Sequence, residues 1–117
     1  MVNKVILIGR VTADPEVRTT GSGTAVANIR IATNSFTGKD SDGVRKEHTE
    51  FHSLVVFGRQ AEVAGEYLKK GKLLYADGRL QTHSWEDSEG RKRYSTEVVV
   101  DSFQLLSPRS EGEAAAA

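Results

Sequence analysis

Residues 47–72 read EHTEFHSLVVFGRQAEVAGEYLKKGK, and the apolar period changes partway along them. Over 47–57 the spacing is that of a strand. Phe51, Val55 and Phe57 share one parity, while Leu54 and Val56 share the other. Gly58 punctuates the run. From 59 to 70 the pattern is helical: Ala61, Ala64 and Leu68 fall on one face, flanked by Tyr67. Glu62, Glu66, Lys69 and Lys70 take the other face, with the cations near the C-terminus, where the helix dipole favours them. Gly71 stands where a helix stop is expected. A strand followed by a short helix can offer rings on one side, build a core on the other, and plug the end of a barrel.

The flanking segments supply the rest of that barrel. Residues 2–13, VNKVILIGRVTA, read as a first strand, with Gly9 marking a bulge or a sharp bend, as at a barrel corner. Asp14-Pro15 and TGSGT at 20–24 read as turns. Residues 25–35 alternate, with Ala25, Ala27, Ile29 and Ile31 on one face and Asn28 and Arg30 on the other. Polar TGKDSDGVRK at 37–46 is expected to be a long loop. Residues 72–85 alternate again, with Leu74, Ala76, Gly78 and Leu80 opposite Tyr75, Asp77, Arg79, Gln81, His83 and Trp85. A hairpin turn at 86–91 leads to a last strand at 92–106. Residues 108–117 have no apolar period and are expected to form an unstructured tail, leaving 1–107 as one domain. Strand, strand, strand, helix, strand, strand is the order of the OB-fold. The fold class is therefore mainly β, a five-stranded Greek-key barrel with one helix between strands three and four. In that fold ligand crosses strands two and three, framed by the loops that join strands one to two and four to five.

Composition narrows the function. The chain has 117 residues, 38% of them hydrophobic and 27% charged, which suits one modest core. It has no Cys, so disulfides and thiolate-bound zinc are excluded. No apolar run reaches membrane-spanning length, and MVNKVILIGR lacks the shape of a signal peptide. A cytoplasmic protein without membrane contact is expected. Lys plus Arg and Asp plus Glu balance at 16 each, against the basic excess usual in nucleic-acid binders. The cations are clustered, however, at Arg91, Lys92 and Arg93 and at Lys69, Lys70 and Lys72.

Several segments together resemble the bacterial single-stranded DNA-binding protein family. They are VNKVILIGRVTADPEVR at 2–18, GTAVANIRIAT at 23–33, TEFHSLVVFGRQAEVAGEYLKKG at 49–71, YADGRL at 75–80 and SWEDSEGRKRYSTEVVVDSFQLL at 84–106. The resemblance implies a homotetramer of OB-folds that wraps single-stranded DNA, without sequence preference, during replication, recombination and repair. The family's base-stacking rings correspond here to Phe36, Phe51, Phe57 and Trp85. Three of these are Phe, and well-known members carry Trp at two of those three, so ring area is smaller here. His52 corresponds to a position packed at the subunit interface, and Tyr67 to a supporting position in the helix. Members usually continue into a flexible linker and an acidic tip ending in Pro-Phe, which recruits replication and repair proteins. The sequence EGEAAAA at 111–117 does not match that tip, so recruitment is not carried over.

The residues give this reading its mechanism. Phe51 and Phe57 are six apart on a strand, so they share a face at about 20 Å. That separation suits different bases, each worth roughly 1–3 kcal/mol when stacked, whatever its identity. The residues alone leave both rings open between core packing and stacking; the resemblance favours stacking. Trp85, the only Trp, lies on the polar parity beside Arg79, Gln81 and His83, so an outward ring is expected. Phe36 sits at a strand end, and Tyr75 and Tyr94 are further rings that packing would equally explain. Lys4, Arg10, Arg30, Arg59, Lys72, Arg79, Arg91 and Arg93 are candidates for phosphate neutralisation, which gives sequence-independent, salt-sensitive binding.

Catalysis finds little support. His48 and His52 would be about 13 Å apart on a strand, too far for one zinc. TGSG at 20–23 lacks the Lys of a phosphate-binding loop. Glu86, Asp87 and Glu89 read as turn charge. No enzyme, cofactor or metal is expected. The alternative from another class is a dimeric OB-fold adaptor resembling the primosomal N-type protein, with only secondary affinity for nucleic acid.

Overall fold

In the computed structural model, which describes residues 1–107, the chain runs β1 (Val5–Val11), β2 (Glu16–Thr19), β3 (Ala25–Lys39), β4 (Arg45–Phe57), α1 (Arg59–Tyr67), β5 (Leu73–Glu86) and β6 (Lys92–Leu105). The expected tail at 108–117 lies outside the described residues. The strand order is β1-β5-β6-β4-β3-β2, and β1 also pairs with β3 through Arg10↔Ala32 and Val11↔Ile31. That second pairing closes the sheet into the expected OB barrel, with β4 and β6 meeting in parallel at Leu54↔Val98 and Val55↔Val99. β2 is an added strand that pairs only with β3.

Alternation decides what goes inside. Paired residues of antiparallel strands point the same way. Ala27↔Val56 and Ile29↔Leu54 therefore face inward together, and Val26↔Phe57, Asn28↔Val55 and Ala32↔Phe51 face outward together. The core adds Val11, Ile31, Leu74, Ala76, Val98 and Val100, with Ala61, Ala64 and Leu68 as the plug. Each such large apolar side chain contributes roughly 1.5–3 kcal/mol by burial.

β6 keeps its core contacts by a bulge. Asp77 pairs with Ser102 but Gly78 pairs with Val100, so Asp101 is the extra residue. One inserted residue flips the parity of everything after it. Val98 and Val100 before the bulge, and Phe103 and Leu105 after it, thereby pack on the same core.

Besides adding β2, the structure departs from the sequence reading at 37–46, at the end of the helix and at Gly71. The segment 37–46 is not a loop: β3 and β4 continue through it as a hairpin arm, whose tip is closed by Asp40 N–H to Val44 O (2.8 Å) and Gly43 N–H to Asp40 O (3.0 Å). The helix ends at Tyr67, not at 70, and Leu68 turns extended (φ −85°, ψ 109°) to enter the core. The next amides bond elsewhere, Lys70 N–H to Asp14 Oδ1 (2.9 Å) and Gly71 N–H to Val11 O (2.7 Å). Tertiary partners thus end the helix early, and Gly71 serves a turn at Lys69–Lys72 rather than a helix stop. Lys69 lies past the last turn, although its Nζ still reaches back to Gly65 O at 3.3 Å. Gly9 marks no bulge in its register with β5 but stands at the barrel corner, where β1 passes from β5 to β3. A Cβ there would stand 2.5 Å from Ala32 O, so its absence lets β1 cross close to β3 where the barrel closes.

Candidate nucleic-acid interface

Parity places Phe36, Phe51, Phe57 and Trp85 on the outward side of their strands, and each is about half exposed, at 52, 56, 49 and 45%. None is part of the core. Between them the outward residues Val26, Val55 and Val99 are buried, forming an apolar floor next to Phe57.

The rings of the arms are backed by neighbours. On the β3–β4 arm, the Arg45 guanidinium lies 4.2 Å from the Phe36 ring centroid. Nearer the barrel, Arg30 lies 5.8 Å from the Phe51 centroid. On the β5–β6 arm, His83 stacks on Trp85 at 5.7 Å between centroids and 23° between planes. A cation over a ring face is attracted to the ring's quadrupole. Arg45 and His83 were not among the residues singled out from sequence. The sequence already sets His83 on the same side of the strand as Trp85 but gives it no role. Arg45 was hidden by reading its segment as a loop.

The expected cations divide into groups. Arg10 stands in line with Ala32 and Phe51 across the sheet, and its Nη1 donates to Gly71 O at 3.2 Å. Arg79 lies on the outward side of β5, 3.4 Å from Asp101. Arg93 pairs opposite Trp85 and its Nε is 2.9 Å from Asp87, while Arg91 pairs with Glu89. Arg59 follows Phe57 and Gly58 and bonds to Glu62 at 3.0 Å. Lys72 is half-buried before β5, and its carbonyl accepts from Val11 N–H at 2.9 Å. It is roughly 40 Å along the strand from Trp85, so it does not join the arm rings. His52 is half-buried on the inward parity opposite Ile31, 2.8 Å from Thr33 Oγ1. Tyr67 is partly exposed at the end of α1.

Two carboxylates are held below the usual range. At the tip of the β5–β6 arm, Asp87 accepts from the Arg91 amide (2.9 Å), Arg93 Nε (2.9 Å) and the Glu89 amide (2.9 Å), which favour its ionised form. On the β1–β5–β6 side, Asp77 accepts from Ser102 Oγ (2.8 Å) and Tyr75 OH (3.0 Å), with Lys4 at 3.4 Å. The same bond raises the Tyr75 phenol, whose proton is committed to Asp77. Beside this network Ile6 and Ile8 point outward from β1, 62 and 55% exposed.

Among the described residues, no three His, Cys, Asp or Glu side chains gather as a metal site. Among the described residues no helix is long and apolar enough to cross a membrane.

Comparison with known proteins agrees with this fold. A Plasmodium falciparum SSB, solved in complex with single-stranded DNA, superposes with a TM-score of 0.81 at 29% identity, over 92% of this chain and 96% of that one. A deletion mutant of the single-stranded DNA binding protein from Thermus aquaticus gives 0.78 at 33% identity, over 92% of this chain. This chain spans about half of that protein, 52%. Residues 2–106 match the Single-strand binding protein family, and the chain belongs to that family.

Proposed function

We propose that this protein binds single-stranded DNA on the outward face of its barrel and arms, by stacking bases on Phe36, Phe51, Phe57 and Trp85. The observation that carries the reading is that these rings, on three different strands, share one outward parity and stay half exposed. Burying them would stabilise the fold, so their exposure is better explained by a ligand. Every base has a π-face, so stacking alone asks for no sequence. Arg10, Arg30, Arg59, Arg79, Arg91, Arg93 and Lys72 neutralise phosphates along the path. Their spread supports wrapping of a long strand rather than capture of a short one.

The same reading makes 1–107 the binding domain, working without catalysis, in the cytoplasm with the nucleoid. It acts in replication, recombination and repair as a homotetramer. The exposed Ile6 and Ile8 beside Tyr75 support self-association through β1, with His52 at a subunit contact. The test is anisotropy of labelled 35-nucleotide oligo-dT (a length of about that order covers a few OB sites) against the duplex of equal length. Tight, salt-sensitive binding of the single strand alone is expected. Equal affinity for duplex would remove the stacking mechanism.

A further inference from the structure

The outward face holds a cleft of about 370 Å³ that stacking leaves unexplained. It opens where β4 and β6 part. Their parallel pairing stops at Leu54↔Val98, and the preceding residues, Ser53 and Glu97, flank the gap. Asn28 and Arg30 of β3 line one wall, with Asp14 and Glu16 beyond them. Its volume lies at the small end of ligand pockets. Arg30 belongs both to this wall and to the cation over Phe51, so the cleft is continuous with the stacking surface. Across β6, Glu97 pairs with Gln81, which shares its side of β5 with His83 and Trp85.

Asn28, Ser53 and Glu97 are half-buried, yet among the described residues their side chains have no hydrogen-bond or ion-pair partner. Polar groups in that position gain when a ligand supplies the missing partner. The charges also sort the ligand. Of the lining residues, Asp14, Glu16 and Glu97 repel a phosphate, whereas Arg30 attracts one. A strand crossing here would set its backbone toward Arg30 and a base edge toward the carboxylates.

We propose that this cleft is a nucleobase subsite, with Glu97 accepting from the exocyclic amino group of the base. This rests on the DNA-binding reading above and adds a base preference to it. Cytosine, adenine and guanine bring an amino donor on the edge that is free in a single strand, guanine with N1–H beside it, and a carboxylate is the matching acceptor for cytosine N4. Thymine and uracil offer only N3–H set between carbonyl oxygens, which face the carboxylate unfavourably. A protein that stacks any base would then still discriminate mildly at one position.

The experiment compares oligo-dC with oligo-dU of equal length on the full chain, at one salt concentration, for wild type and Glu97→Leu, which removes the acceptor. Wild type is expected to favour dC, and the substitution to lower the dC/dU affinity ratio about fivefold, the worth of one hydrogen bond. An oligomer of N4,N4-dimethylcytosine, which lacks the donors, should bind wild type no better than dU and needs no variant. If Glu97→Leu strengthens both oligomers equally, Glu97 only repels phosphate and the subsite is overturned. If dimethylcytosine binds like cytosine, it is overturned as well. Failure of wild type to bind either oligomer would instead remove the DNA-binding reading on which it stands.

Discussion

The two hairpin arms that leave the barrel end in nearly the same residues, DSDG at 40–43 and DSEG at 87–90, but they carry their cations differently. The tips are built alike. Asp40 Oδ1 accepts from the amides of Asp42 and Val44, and Asp87 Oδ1 accepts from those of Glu89 and Arg91, all at 2.9 Å. Gly43 and Gly90 take φ of 80° and 79°, the left-handed residue that closes a three-residue hairpin loop. Beyond the tip they diverge. On the β5–β6 arm Arg91 and Arg93 are already paired with Glu89 and Asp87. On the β3–β4 arm Arg45 rests on a ring, and among the described residues Lys39 and Lys46 have no ion-pair partner. One arm presents a large ring with two of its three cations held by acids, Lys92 lying 5.8 Å from the Tyr94 ring centroid. The other presents a smaller ring with none of its three cations in an ion pair among the described residues. The first is suited to stacking and the second to phosphate.

This division yields graded expectations. Trp85→Ala should weaken oligo-dT binding by about 1–3 kcal/mol, the largest single-residue effect, read by anisotropy. Replacing Lys39, Arg45 and Lys46 together by Ala should lower the slope of log affinity against log salt by about two. Replacing Arg91 and Arg93 should lower it by less than about one, because phosphate must displace an existing acid there. Phe36→Ala should cost about 1 kcal/mol, the lower end of the stacking range, since the ring is smaller. Equal slopes for the two arms would erase the distinction between them.

The smallest effect concerns acid. Asp87 is ionised more readily folded than unfolded, so it adds stability above the unfolded carboxylate value and loses it as pH falls through the lower folded one. Below about pH 4 the β5–β6 tip should therefore loosen. Asp87→Asn should reproduce this at neutral pH, as faster amide exchange at Glu89 and Arg91. Protection that is unchanged by either treatment would show that the backbone turn alone holds the tip.

Sequence reasoning reached the barrel because its cause is local and repeated. Alternation at 25–35 and 72–85, and the switch of period at Gly58, each name an element directly. It missed the β3–β4 arm because polar residues carry no apolar period, although the turn chemistry read as a hairpin at 86–91 stands at 40–43 too. The helix end could not be read, because it depends on Asp14 and Val11, which are distant in sequence and bond to the amides after Leu68. The bulge at Asp101 was equally out of reach. A run VVV followed by DSFQL shows no missing beat until Asp77 and Gly78 are set against it. For the site, the rings were readable one by one, whereas their backing by Arg45 and His83, and the cleft beside Ser53 and Glu97, needed the register between strands.

Trp85 is the only Trp, so its emission reports one place on the surface. Titrating the protein with oligo-dT of increasing length, at low and high salt, measures ring contact and charge contribution together. Stacking on Trp85 predicts saturable quenching that grows with length to a plateau and needs more DNA at high salt. Saturable binding by anisotropy with Trp85 emission unchanged would contradict it.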